Sequence, residues 1–427
     1  MQQKLSGRNL LLVGFTLFSM FFGAGNLIFP PHLGAQAGAN LWLAFAGLSV
    51  SAIGLPIAGV VAVARAGGLD KLASRVHPLF APVFTVLVYL SIGPCLAIPR
   101  TASTSFQMLV PLVGGGAGLQ LIYSVLFFTA AFCVALHPDK LTDLLGRILC
   151  PCLIGLIVVL FAGCLAHPLT AHYAAPSAEY VSLPAAQGIL YGYQTMDTLA
   201  GLNFGAVIAL NIRARGVTES RAVEGGTIRA GFIAGGLMLV VYAMLGHAGA
   251  ETGTVYPGLA TGAEVLTALA QQLFGRAGLV LIAAIFVIAC FNTCVGLIAC
   301  VGQYFHQLLP RIPYPAIAAF FAVASMLVSN LGLAAIIRLS TPVLNAIYPA
   351  AIVLILLSFM PGLEKHRAVY PLCMGLTALQ SIAAALPLGA VSAAANALPL
   401  GSMGFGWVLP ALAGLAGGLL LNKSDLQ

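Results

Sequence analysis

The sequence predicts an all-α polytopic membrane protein of about twelve transmembrane helices, in a single domain over residues 1–427. Three observations carry this prediction. Of the 427 residues, 60% are hydrophobic and 7% charged, with a mean hydropathy of +1.02; water-soluble domains average about 25% charged. Apolar runs of about 20 residues, each able to cross ~30 Å of hydrocarbon, recur from end to end. The basic residues fall mostly on alternate connections, with Arg276 on the other side and Arg100 and Arg338 inside or at the edge of spans.

The spans read in order as 10–31, 40–64, 79–110, 119–136, 146–166, 184–208, 227–249, 277–305, 314–331, 334–359, 368–387 and 403–421. Lys4 and Arg8 precede the first; Arg65, Lys71 and Arg75 follow the second; Lys140 and Arg147 follow the fourth. Arg213, Arg215, Arg221 and Arg229 follow the sixth, Arg311 the eighth, Lys365 and Arg367 the tenth, and Lys423 the last. Fifteen of the 18 Lys+Arg thus lie on one side. Positive loops favour the cytoplasm, so both termini are expected there. This distribution also accounts for the net charge of +7 without nucleic acid. The opposite connections 32–39 and 111–118 are uncharged, and 250–276, with Glu251, Glu264 and apolar Val265, Leu266, Leu269 and Leu273, reads as a short amphipathic helix on the outer face.

The first run lacks a small-residue cleavage site and reads as a retained span. The nine cysteines are mostly isolated in apolar runs, as at Cys133, Cys164, Cys290 and Cys373, and no histidine cluster accompanies them in sequence, so neither disulfides nor a metal is expected. The histidines, His137 and His247 among them, fall near interfaces and receive no role. No G-x-x-x-x-G-K-[ST] loop is present, so neither ATP-driven work by this chain nor an ATPase subunit is implied. Nor is there an H-E-x-x-H or G-x-S-x-G pattern or another catalytic pair, so an enzyme is not expected.

Span 1 is interrupted at Gly23-Ala24-Gly25-Asn26. Glycine costs about 1 kcal/mol in a helix interior, and Asn26 sets an amide among hydrocarbon. Either the helix unwinds here, exposing backbone groups to a ligand, or the small residues serve helix packing. Span 6 is the second irregular one, with Gly188, Gly192, Tyr193-Gln194-Thr195-Met196-Asp197 and Gly201. Asp197 is the acidic residue set well inside a span; the other acids read as lying in connections or at their edges. It either faces a polar cavity or caps a half-helix. Breaks five spans apart imply an inverted repeat, 10–166 (spans 1–5) against 184–359 (spans 6–10), with accessory spans at 368–421.

In span 8 the Ala289 carbonyl and the Asn292 and Thr293 side chains share one helical face. Gathered neutral oxygens suit a hard monovalent cation such as Na⁺, completed by carbonyls of an unwound span 1; interhelical hydrogen bonding is the ordinary alternative. Span 3 carries Gly93, Pro94, Pro99 and Arg100, the last either buried and paired or snorkelling to the outer interface.

Together, Gly14–Pro31, Ile92-Gly93-Pro94 with Ala97-Ile98-Pro99-Arg100-Thr101, the Tyr193–Ala200 segment and the span 8 segment resemble the bacterial branched-chain amino acid carrier family (BrnQ type) over most of the chain. The resemblance implies Na⁺-coupled symport of leucine, isoleucine and valine across the inner membrane, with the amino acid and the lipid bilayer as partners. More distantly, Gly23–Asn26 is similar to the unwound first span of the LeuT-like fold. By that resemblance the Ala24 and Gly25 N–H groups receive a substrate carboxylate. Phe21 and carbonyls around Tyr193 and Gln194 receive its ammonium, and Asn26 offers its oxygen to an adjoining ion. A second Na⁺ takes carbonyls of Ser19 and Phe22 with Ala289, Asn292 and Thr293. Asn292 stands where the family usually has a threonine, which leaves ion preference open, Li⁺ included. Apolar side chains of spans 3, 6 and 8 form the pocket for the aliphatic tail. Asp197 has two roles open: a fixed charge, or a proton carrier that makes the coupling ion H⁺. A carrier of the same fold for another amino acid or amine, and a channel or membrane sensor, are the competing readings.

Overall fold

The computed structural model describes residues 5–363, 366–386 and 389–424. Lys4, Lys365, the side chain of Lys423 and the expected end of span 11 at 387 lie outside the described residues. The chain starts with α1 (Gly7–Phe21), N-capped by Ser6, whose hydroxyl accepts from the Asn9 N–H. It stops at Phe22 and Gly23 and resumes as α2 (Ala24–Ala37). After a tight turn, α3 (Leu41–Ser49) and α4 (Leu55–Ala66) run on through a π-helical stretch, Val50–Gly54. The short α5 (Leu69–Ala73) leads to α6 (Phe80–Leu90) and α7 (Ala97–Val113), joined across a second π-helical stretch, Ser91–Cys95. Gly93 is non-helical there (ψ −126°), and Pro94 has no N–H to keep the ladder.

Next come α8 (Ala117–Ala135), α9 (Cys150–Ala166), and the pair α10 (Pro184–Tyr193) and α11 (Asp197–Ala214), bent by 49° at its break. Two long helices follow, α12 (Ser220–Val255) and α13 (Gly262–Leu308), then α14 (Tyr314–Ser329), α15 (Leu333–Ser358), α16 (Val369–Ala385), α17 (Ala390–Asn396) and α18 (Val408–Ser424). Among the described residues, seven helices are long and apolar enough to cross a bilayer, and eight if the bent pair counts as one span. Four more apolar helices, α1, α14, α16 and α18, are shorter. The chain is thus a multi-pass helical membrane protein. Large side chains such as Leu121, Leu126, Phe232 and Leu379 are exposed on its surface, as a hydrocarbon solvent permits.

Gly275 (φ +56°) bends α13 and separates residues 262–274 from the long apolar part. That first segment is the amphipathic helix expected in the 250–276 connection: Thr261 caps it, and Val265, Leu266, Leu269 and Ala270 are buried. Glu251 does not belong to it. It is 4% exposed in the last turns of α12, so the expectation that Glu251 sits in a surface connection is corrected. The reason is length: α12 runs past the expected end of span 7, because no proline intervenes before Pro257.

The broken helices are held by backbone-close packing. A Cβ on Gly34 would lie 2.0 Å from the Gly246 carbonyl oxygen, and one on Gly249 2.0 Å from that of Pro31. Only glycine lets α2 and α12 approach so nearly, a recurrent device where lipid supplies no hydrophobic drive.

Candidate functional site

At the first break Phe22 (φ −76°, ψ 85°) and Gly23 (φ −121°, ψ −153°) leave helical geometry. Ala24, Gly25 and Asn26 are the first turn of α2, so the break lies just ahead of them. Asn26 Oδ1 accepts from the Gly23 N–H at 3.0 Å, closing the turn. Asn26 Nδ2 donates to Asp197 Oδ2 (2.5 Å) and to the Tyr242 hydroxyl, which itself donates to Asp197 Oδ2 at 3.2 Å. Asp197 is the first residue of α11, so the N-termini of two half-helices converge on one buried network. Helix N-termini carry unsatisfied N–H groups and partial positive charge.

The second break spans Gln194, Thr195 and Met196. Met196 adopts a left-handed conformation (φ +68°), which costs about 1–2 kcal/mol in a residue with a Cβ. The Thr195 hydroxyl donates to the Gly192 carbonyl at 2.8 Å and accepts from the Asp197 N–H at 3.4 Å. Arg100 is 5% exposed. It donates to the carbonyls of Gln194 (3.0 Å) and Thr195 (3.3 Å), with its guanidinium 5.8 Å from the Phe29 ring centroid. Of the two readings the sequence left open, Arg100 is thus buried and paired with carbonyls at the end of α10. A Cβ on Gly25 would come within 2.9 Å of Arg100 Nη2 and 3.2 Å of Thr195 Cα, so glycine brings the two breaks together.

Between the breaks lies a narrow, nearly closed cavity of about 20 Å³. Ala24, Gly25, Asn26, Arg100, Thr195 and Asp197 line its polar side. Phe21, Ile92, Ala97, Ala200, Phe204 and Leu297 line its apolar side. Phe21 and Phe204 meet edge to face, with centroids 5.0 Å apart. The apolar lining includes residues of spans 3, 6 and 8. Tyr193 and Gln194 are placed differently: their side chains line a separate cavity against α15 and α16, Tyr193 stacks on Tyr348 (4.9 Å), and the Gln194 carbonyl is held by Arg100.

Behind the first break, Asn292 Nδ2 donates to Ser19 Oγ at 3.4 Å, and Ser19 Oγ donates to the Leu145 carbonyl at 3.3 Å. Ser19, Phe22, Ala289 and Asn292 are fully buried. Asn292 Oδ1 and Thr293 Oγ1 are buried without a hydrogen-bond partner. Each such orphan costs about 1–3 kcal/mol. A Cβ on Gly23 would lie 2.6 Å from Thr293 Oγ1, so that oxygen faces the end of α1. There the last carbonyls of α1 have no intrahelical N–H partner. This donor set, all oxygen and uncharged, fits a hard monovalent cation.

Sequence reasoning missed Tyr242, which completes the Asn26–Asp197 network. A tyrosine in mid-span 7 was its only signal. Thr195 and Met196 were read as part of an irregular stretch, without a role.

Buried polar groups gathered where two membrane helices break define a transporter-like class. Solved structures share the fold. The fold matches the inward-facing conformation of Mhp1 with a TM-score of 0.60 at 10% identity, covering 99% of this chain and 95% of that one. It matches a Na⁺-coupled sialic acid symporter with a TM-score of 0.61 at 12% identity, covering 96% and 89%. The sequence comparisons then give the family. Residues 6–425 match the branched-chain amino acid transport protein family. The chain is 40% identical to the branched-chain amino acid permease BraB of Bacillus subtilis, over 99% of this chain and 97% of that protein. It is 42% identical to the branched-chain amino acid transport system 2 carrier protein of Pseudomonas aeruginosa, over 84% and 82%. The chain belongs to the branched-chain amino acid transport protein family: it is a transporter and not an enzyme.

Proposed function

We propose that the protein is a Na⁺-coupled symporter that takes up leucine, isoleucine and valine across the bacterial inner membrane by alternating access. The observation that carries this is the cavity between the two breaks, polar at the helix ends and apolar opposite. A zwitterion with an aliphatic tail has that same division. The Ala24 and Gly25 N–H groups at the start of α2 suit its carboxylate. Phe21, at the carbonyl end of α1, and the carbonyls at the end of α10 suit its ammonium, with Arg100 giving up or sharing the Gln194 and Thr195 carbonyls when substrate arrives. Phe204, Ile92 and Leu297 take the tail. One methylene changes binding in such a pocket by only about 1–3 kcal/mol, so the three amino acids compete.

The coupling ion would be held by Asn292 and Thr293 side-chain oxygens with carbonyls of Ser19, Phe22 and Ala289; the two orphaned oxygens support this. Asn26 keeps a second lone pair on Oδ1 for an ion adjoining the carboxylate. The topology consistent with this reading has twelve spans, an inverted repeat of 10–166 against 184–359, accessory spans at 368–421 and both termini in the cytoplasm. The second reading moves the coupling to H⁺ on Asp197, and the buried carboxylate between Asn26 and Tyr242 favours it.

Uptake of labelled leucine into proteoliposomes, with Na⁺, Li⁺, K⁺ and pH gradients imposed separately, tests both. Uptake driven by inward Na⁺ and lost in Asn292→Ala supports the first reading. Uptake driven only by a proton gradient, and lost in Asp197→Asn, replaces it with the second.

A further inference from the structure

Away from the broken helices, three side chains with metal-binding atoms converge. His247 and Glu251 stand one helical turn apart near the end of α12, on the side away from Arg213, Arg215 and Arg221, and Cys164 faces them from α9. Their ligand atoms all lie within 4.8 Å of one another. Cys164 Sγ is 3.2 Å from Glu251 Oε2, and His247 Nε2 is 3.4 Å from Glu251 Oε1. Ligands around a tetrahedral ion bound at ~2.0–2.3 Å sit about 3.5 Å apart, so small side-chain adjustments bring these three onto one ion. The sequence put the cysteines away from any histidine; the fold corrects that by laying α9 against α12.

A second layer holds the first. Tyr173 Oη lies 2.5 Å from His247 Nδ1, the Leu169 N–H donates to Glu251 Oε2 at 3.2 Å, and the Ala174 N–H donates to Thr254 Oγ1 at 2.9 Å. A ligating histidine commonly has its other ring nitrogen fixed in this way. Cys164 is fully buried and Glu251 nearly so, while the His247 side chain keeps 22% of its surface open and gives an ion its way in.

We propose that Cys164, His247 and Glu251 form a binding site for Zn²⁺ or a divalent ion of the same borderline-soft kind, with water in the fourth position. Thiolate, imidazole and carboxylate together select that class over Na⁺, Mg²⁺ or Ca²⁺. Without the ion, Tyr173 donates to Nδ1 and the Nε2–H faces Glu251. With it, Nδ1–H donates to Tyr173, the Nε2 lone pair binds the metal, and the Cys164 thiol proton leaves to solvent. The ion then ties α9, α12 and the 167–183 connection together. The site stands independently of the transport reading.

Co²⁺ added to the purified full-length protein in detergent is the test. One equivalent should give a thiolate-to-cobalt charge-transfer band and tetrahedral d–d bands, both displaced by Zn²⁺. Cys164→Ser should abolish the charge-transfer band. Tyr173→Phe, which keeps all three ligands, should keep the band with affinity lowered about 10–100-fold; the band itself then reports an intact site. Absence of the band in the native protein, or its survival in Cys164→Ser through another cysteine such as Cys95 or Cys152, overturns the proposal.

Discussion

Replacing Thr293 by valine separates the ion-site reading from simple helix packing, because the two predict opposite signs. Thr293 Oγ1 is buried without a hydrogen-bond partner beside Gly23, at the end of α1. Thr293→Val keeps the shape and exchanges the hydroxyl for a methyl. Without Na⁺ the substitution removes an unsatisfied polar group, so it should stabilise the protein by about 1–3 kcal/mol, the desolvation cost of such a group. With Na⁺ the sign reverses. A hydroxyl oxygen on a charged partner contributes about 1.5–3 kcal/mol, which corresponds to a loss of roughly 10–150-fold in Na⁺ affinity. Thermal unfolding in choline and in sodium buffers reads the first effect. The Na⁺ concentration giving half-maximal leucine uptake reads the second. If Thr293→Val lowers stability in choline and leaves that Na⁺ concentration within twofold of the native value, the orphaned hydroxyl is not an ion ligand and the reasoning fails.

Other consequences follow from the same geometry. Tyr242→Phe removes the hydroxyl that donates to Asp197 and accepts from Asn26; a loss of about 1–3 kcal/mol with depressed uptake is expected, and an unchanged unfolding midpoint would refute it. Asp197→Leu should cost more than Asp197→Asn, since leucine strands the Asn26 amide and the Tyr242 hydroxyl without an acceptor, at about 1–3 kcal/mol each; comparing the two unfolding midpoints decides. Gly34→Leu drives a side chain into the Gly246 carbonyl, so the purified variant should lose its monodisperse peak in size-exclusion chromatography; native behaviour would mean α2 and α12 do not pack so closely. Phe204→Ala opens the apolar wall of the cavity, and leucine uptake should fall relative to that of a bulkier aliphatic amino acid, read by competition with unlabelled substrates.

Composition, span length and loop charge determined by themselves that this chain is a multi-pass helical membrane protein, because the cost of burying backbone in lipid leaves few other solutions. Local chemistry marked both breaks too: glycines beside Asn26 in one span, and an acid set after glycine and threonine in the other. Four quoted motifs pointed to the family. What sequence could not supply was which side chain meets which. Arg100 lies ninety-four residues from Gln194, and only the packing of α7 against the second break turns a candidate snorkelling arginine into a buried cap on two carbonyls. Tyr242 looked like one more apolar-span aromatic until α12 pressed it onto Asn26 and Asp197. Tyr193 and Gln194 sat next to the break in sequence, yet the rotation of α10 sends their side chains to another cavity. Cys164 and His247 gave no sign of each other along the chain and come together only through the contact of α9 with α12. Hydrophobicity is a local property that a sequence states directly; the pairing of rare polar groups depends on helix rotation and contact, which only the tertiary structure fixes.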